Sequence, residues 1–291
     1  MTASQVEEVF IVGAGRAGMA LAKALMRTQH RILGTWNRTA AASARARSVT
    51  QAPAFHGRIP MAASGASLLL LTVTDDALPA MARVLVKEAV VSRGMVVAHM
   101  AGALDSAVLA DARAAGAHVG SLHPVASFSE EATLQVGTHF AVEGDAVALP
   151  RLRSLVEDVG GYPMTIEPGQ KPRYHAALVF AANYMVALAD MSTRLLREAG
   201  LNEEQAATIL GPLVEGTARN IRREGITQAL TGPVTRGDIN TVRVHVEALK
   251  SSPELLHVYA HLGVAAVEVA RRQGLTEPQA HALLALFGPA L

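Results

Sequence analysis

Residues 9–18 read Val-Phe-Ile-Val-Gly-Ala-Gly-Arg-Ala-Gly, and residues 19–25 continue with helical composition. An apolar strand running into G-x-G-x-x-G and then into a helix is the opening of a βαβ unit, and it limits the chain to a parallel α/β sheet at this end. Gly13 permits the tight turn, Gly15 lets the backbone approach a pyrophosphate, and Gly18 lets the helix pack on the strand. Backbone N–H groups at the helix start face such an anion. Gly13, Ala14, Gly15, Arg16, Ala17 and Gly18 are therefore expected to cradle a dinucleotide, with the Arg16 side chain a further phosphate contact.

The next strand, residues 31–36, ends in Asn37-Arg38-Thr39. An NAD site offers Asp or Glu about 20 residues past the glycines to bond the ribose 2′-hydroxyl. An amide, a guanidinium and a hydroxyl suit a 2′-phosphate instead, the guanidinium through charge-assisted bonds. NADP(H) is the expected cofactor. Flavin binding through the same glycines is disfavoured, because the acidic ribose ligand is replaced.

Composition excludes several classes. The 291 residues suffice for two domains, and half are hydrophobic. There is no cysteine, hence no disulfide framework, thiolate nucleophile or thiolate metal site. A net charge of +1 with 4% aromatics argues against nucleic acid as a partner. Residues 1–8 are polar and acidic, unlike a signal peptide. No stretch approaches the ~18 apolar residues of a membrane span. The expectation is a cytoplasmic protein without a membrane partner.

Strand and helix signals then alternate. Residues 67–73 form a continuous apolar run, as in a parallel strand covered on both faces. A helix at 76–89, a strand at 94–99, a helix at 104–115 and a strand at 118–123 follow. Weaker strands at 139–142 and 162–166 flank a helix at 149–159. This alternation predicts a doubly wound, mostly parallel α/β sheet. Ligands of such sheets lie beyond the carboxyl ends of the strands, which selects Val73-Thr74-Asp75, Met100-Ala101-Gly102 and His123-Pro124. From residue 168 onward only helices are expected, at about 172–199, 203–223, 238–249, 253–273 and 278–286. Asn202 with Gln205 and Thr276 with Gln279 form capping pairs. The predicted division is a Rossmann domain over 1–167 and an all-helical domain over 168–291.

The motif layout resembles a family of Rossmann-like oxidoreductases whose C-terminal helical domain is one of unknown function. The stretches that carry it are 13–18, Trp36-Asn37-Arg38-Thr39, residues 122–128, Lys171-Pro172-Arg173-Tyr174-His175, residues 180–184 and residues 231–238. The family is similar to NADP-dependent pyrroline-carboxylate reductases, ketopantoate reductases and deazaflavin-linked NADP reductases. It also looks like prephenate dehydrogenase at the His-Pro after a late strand. The resemblance implies an NADP(H) oxidoreductase, often a homodimer through the helical domain. One departure is Ala101 before Gly102, where the family usually has serine.

Hydride transfer requires residues that orient a carbonyl or imine and supply a proton. His123 stands at a strand end, as a substrate contact or as a histidine bonded to backbone. Lys171 precedes Pro172, which makes it a cap or first-turn residue that can still point into the cleft. His175 and Asn183 share one broad helical face. His175 or Lys171 is the expected proton donor and Asn183 a hydrogen-bonder to substrate or nicotinamide; the bland alternative is a seam where buried polar groups satisfy each other. In related β-hydroxyacid dehydrogenases a Lys and an Asn one turn apart serve catalysis, a spacing this chain does not reproduce. Arg236 is a candidate clamp for a substrate carboxylate, and Asp238 reads as a helix N-cap. His257 and His261, with Glu254, lack partners to complete a metal shell, so no metal site is expected. The function expected is hydride transfer between NADPH and a small carbonyl or imine acid in the cleft between the domains. The rival is an NADP(H)-binding sensor or scaffold without turnover.

Overall fold

The computed structural model describes residues 5–128 and 133–291. The chain divides into two compact units, Met1–Asn183 and Tyr184–Leu291.

The first unit is built on eight strands: β1 (Glu8–Val12), β2 (Arg31–Asn37), β3 (Ala54–His56), β4 (Leu68–Leu71), β5 (Val96–His99), β6 (His118–Pro124), β7 (His139–Gly144) and β8 (Tyr162–Thr165). They lie in the order β3-β2-β1-β4-β5-β6-β7-β8. All neighbours are parallel except β6 and β7. The expected doubly wound, mostly parallel sheet is present. The short strand β3 has no counterpart in the sequence reading; three residues are too few to show an alternating pattern.

Helices α1 (Arg16–Leu25), α2 (Ala40–Thr50), α3 (Leu78–Lys87), α4 (Ala110–Ala114) and α5 (Ala148–Asp158) connect the strands. Period-two alternation sends Val9, Ile11, Leu68 and Leu70 into one core with α1 and α5. It sends Phe10, Val12, Leu69 and Leu71 into a second core with α3 and α4. All four β4 leucines are buried, each worth about 1.5–3 kcal/mol relative to exposure. The strand is apolar throughout because both faces are covered.

The switch from β3 back to β4 leaves a crevice beyond the carboxyl ends of β1 and β4. Gly13 has φ +93°, and a Cβ there would lie 2.6 Å from Val73 Cγ1, so only glycine can make this turn. A Cβ at Gly18 would overlap Thr72 Oγ1, whereas one at Gly15 would meet nothing nearer than 4.0 Å. The close packing at Gly18 and the open approach at Gly15 match the roles read from the motif.

After β8 come α6 (Lys171–Ala181) and α7 (Asn183–Glu198). The sequence reading made these one helix; the chain breaks at Ala182, whose φ −120° and ψ −65° are not helical. Residues 168–198 are also apolar enough, by length and composition, for a membrane span, with a mean hydropathy of 1.3 over the most apolar window. This corrects the expectation that no stretch is long and apolar enough for one. The break leaves helices of 11 and 16 residues, each shorter than the ~20 a span needs.

In the second unit, α8 (Glu203–Ala229) carries the Asn202–Gln205 capping box and kinks at Gly225. It runs six residues beyond the expected end. Helices α9 (Ile239–Ala248), α10 (Pro253–Arg272) and α11 (Glu277–Phe287) enclose a small core around Val242, Ala260, Val267, Leu283 and Phe287.

Candidate functional site

Two groups of residues collect at the carboxyl ends of the strands. The first surrounds the glycine turn. A cavity of about 360 Å³ is lined by Gly13, Ala14 and Gly15, by Trp36 to Thr39, and by Val73 and Thr74, with Ala42, Arg45, Ala77 and Met81. Of the expected cofactor residues, Gly13, Ala14, Gly15, Asn37, Arg38, Thr39, Val73 and Thr74 line it. Arg16 lines an adjoining cavity. Ala17 lies within α1, Gly18 is buried in the same helix, and Asp75 opens a short 3-10 turn.

Asn37 is 4% exposed, and its Nδ2 has no hydrogen-bond partner among the described residues. An unpaired buried donor costs about 1–3 kcal/mol. It sits at the end of β2, beside the exposed Arg38 guanidinium and the Thr39 hydroxyl. Thr39 caps α2 by accepting from the Ala42 N–H at 3.2 Å, and it retains an O–H to donate. The first N–H groups of α1 lack intrahelical acceptors. An amide donor, a guanidinium, a hydroxyl and a helix N-terminus around one cavity fit a phosphorylated ribose joined to a pyrophosphate.

The second group lies at the ends of β5 and β6. His99 pairs in register with Ser121, and alternation puts His99, Ser121 and His123 on one face. His99 is fully buried; its Nδ1 accepts the Ala101 N–H at 3.1 Å and its Nε2 lies 3.1 Å from the Asp105 carbonyl oxygen. A backbone N–H can only donate and a carbonyl can only accept, so this imidazole is neutral with its proton on Nε2. Burial pushes its titration down to about 4, aided by the Lys171 charge.

Lys171, at the first position of α6, is 0% exposed. Its Nζ donates to the Ala101 carbonyl and to Ser121 Oγ, both at 3.0 Å. Burial lowers its titration to about 8, against the opposing pull of Glu143, Asp105 and Asp75. Lys171 stands in the first turn, as expected, and its side chain lies beneath the strand ends.

His123 Nδ1 lies 3.0 Å from the Tyr174 hydroxyl. Burial, then Lys171, then the neighbouring histidines bring His123 down to about 4, and burial raises Tyr174 to about 12. Both are neutral near pH 7. The His175 ring stands edge-on to His123, with centroids 5.8 Å apart. A Cβ on Gly102 would overlap His175 Cδ2 and lie 2.8 Å from His175 Nε2 and 2.9 Å from His123 Nε2. The two Nε2 atoms thus converge over Gly102, and any side chain there would push the rings away. His123, His175 and Asn183 line one cavity of about 390 Å³, walled by Val125, Phe128, Leu178 and Val179.

The structure therefore brings together His123, His175 and Asn183, with Lys171, Ala101 and Gly102 directly behind. Arg236 lies in the other unit, and Asp238 caps α9 by accepting from the Thr241 N–H at 3.1 Å. His261 Nδ1 is bonded back to the His257 carbonyl. Among the described residues no three His, Asp or Glu converge as a metal site. Sequence reasoning missed His99, Ser121, Tyr174 and Arg45. His99 carried a signal, because it ends β5, just before the Met100-Ala101-Gly102 turn that the strand-end rule selects.

Residues 3–124 match the Rossmann-like domain family, and residues 138–266 match a domain of unknown function, DUF2520. The two matches are to the kinds of domain that the motif layout implies, a Rossmann-like one followed by one of unknown function. No curated protein matches it. Among solved structures it is similar to a provisionally named NADP oxidoreductase from Bacteroides fragilis, with TM-score 0.73 and 21% identity over 90% of this chain and 98% of that one. A Thermotoga maritima protein superposes with TM-score 0.72 at 26% identity, covering 91% and 99% of the two chains. A pyrroline-5-carboxylate reductase from Coxiella burnetii gives 0.59 at 13% identity, covering 98% of each. The class defined is a Rossmann-like domain joined to a helical domain, in a fold shared with NADP-linked oxidoreductases.

Proposed function

We propose that this protein is an NADP(H)-dependent oxidoreductase acting on a small carbonyl or imine substrate. The observation that carries the cofactor half is the orphaned Asn37 Nδ2, buried beside Arg38 and Thr39 at the end of β2. The names of the Bacteroides and Coxiella relatives point the same way. When bound, NADPH supplies the hydride. Gly13 to Arg16 and the start of α1 hold the pyrophosphate, while Asn37, Arg38 and Thr39 hold the ribose with its 2′-phosphate.

The convergent imidazoles carry the catalytic half. His123 and His175 bring two Nε2 atoms together over Gly102, and both residues line one cavity, an arrangement suited to binding and polarising a single carbonyl or imine. His175 protonates the developing alkoxide or amine, and Asn183 orients the substrate. Lys171 acts behind them as a positioning residue, holding the Ala101 carbonyl and Ser121, and its charge adds to the burial that keeps His123 and His99 neutral. Arg236 is the proposed carboxylate clamp for an acid substrate.

We propose further that the protein pairs as a homodimer through its helices. None of the 16 residues of α7 is buried, and only Ala206 and Ala229 are buried in α8. Light scattering would show a dimer, and a monomer would end this proposal.

Calorimetric titration with NADPH and NADH tests the reading. NADPH is expected to bind at least about tenfold tighter, and Arg38→Ala to remove the difference. Binding of neither nucleotide would overturn it. A sensor would keep nucleotide affinity but lack turnover across carbonyls and imines followed by loss of NADPH absorbance. An enzyme loses turnover, and keeps NADPH affinity, in the His175→Ala/Asn183→Ala double variant.

A further inference from the structure

Arg45 lines both cavities at the glycine turn: the one holding Asn37, Arg38 and Thr39, and a second of about 620 Å³ between α1 and α2. The second is lined by Arg16, Lys23 and Arg45 with no acidic residue, and shares Ala14 and Gly15 with the first. Arg45 is exposed, and among the described residues its guanidinium has no hydrogen bond or ion pair.

The helix geometry directs this side chain. Arg45 lies six residues beyond the N-cap Thr39, a rise of roughly 9 Å. Side chains on a helix lean toward its N-terminus, so the guanidinium swings back toward Thr39. Ala42 precedes it by three residues on the same face, and its methyl group leaves the path open. Arg38 approaches the same cavity from the end of β2.

Resting on the cofactor reading above, we infer that Arg45 is a specificity residue: it closes on the ribose 2′-phosphate from the α2 side, opposite Arg38. Two guanidiniums and the Asn37 amide then surround a dianion that NADH lacks. Lys23 and Arg16 extend the positive field along the approach, so association depends on ionic strength.

The test is calorimetry with NADPH, NADH and adenosine 2′,5′-bisphosphate on wild type, Arg45→Gln, Arg45→Lys and Arg38→Gln. Arg45→Gln is expected to weaken NADPH and the bisphosphate about tenfold, or ~1.4 kcal/mol, and to leave NADH unchanged. Arg45→Lys should recover part of the loss. Equal weakening of NADPH and NADH overturns the inference, as does no change in Arg45→Gln. Loss of preference in Arg38→Gln with the preference kept in Arg45→Gln would also overturn it while the cofactor reading stands. If the wild type binds neither nucleotide, the cofactor reading falls and Arg45 with it.

Discussion

Lys171 Nζ donates at 3.0 Å to Ser121 Oγ, tying the first turn of α6 to the middle of β6 from a position with no exposure to solvent. The same ammonium holds the Ala101 carbonyl, so one buried charge links three chain segments and adds to the burial that lowers the titration of His99 and His123. Lys171→Met should keep the packing and remove the charge. His123 should then titrate above its present value of about 4, because the ammonium is one of the groups holding it down. NMR titration of the imidazole checks this. Lys171→Ala should cost about 2–4 kcal/mol in urea unfolding, through a cavity and unpaired partners.

Lys171 also makes stability depend on alkaline pH. Its folded titration, about 8, lies below the ordinary 10.5, so between these values the unfolded chain binds more protons. Stability should rise with pH across that window, by up to about 3 kcal/mol from this group. Urea midpoints at pH 7.5 and 10 check the sign, with Lys171→Met lacking the rise.

His99 and His123 act in the acid range. Both are held near 4 against an ordinary 6.5, so their contribution is complete above 6.5 and is lost as pH falls toward 4. Each accounts for up to about 3 kcal/mol. Unfolding followed between pH 7 and 4 should be less steep in His99→Gln than in wild type.

Gly102→Ala should destabilise the protein by about 1–3 kcal/mol, because the added methyl overlaps the His175 ring. His175→Ala in the same chain should relieve most of that loss. A double-mutant cycle of melting temperatures showing simple additivity would refute the ring-on-glycine contact.

Asn37→Leu separates binding from folding. Removing the orphaned amide should leave the unliganded protein as stable or about 1 kcal/mol more so. NADPH should bind about tenfold more weakly. Thermal shifts with and without nucleotide read both.

Much of this molecule is legible in one dimension. The strand, glycine turn and helix at residues 9–25 announce a dinucleotide fold because each glycine answers a local backbone demand, and φ +93° at Gly13 meets it. The continuous leucines of β4 announce a strand covered on both faces. The capping boxes at Asn202 and Thr276 mark helix starts, since a cap is made within four residues. His123, His175 and Asn183 stood out as polar residues on apolar elements, and they meet in one cavity.

What local pattern determined, then, is the order of strands and helices, the glycine turn and the polar residues at strand ends. Tertiary structure alone decided that Lys171 turns inward to Ser121, that His99 is a neutral buried brace, that Arg45 joins two cavities and that one long apolar stretch divides at Ala182. The physical reason is range. Turns, caps and periodicity are short-range interactions written in neighbouring residues. Burial, titration and hydrogen-bond partners depend on groups 50 or 70 positions away, which no local pattern encodes.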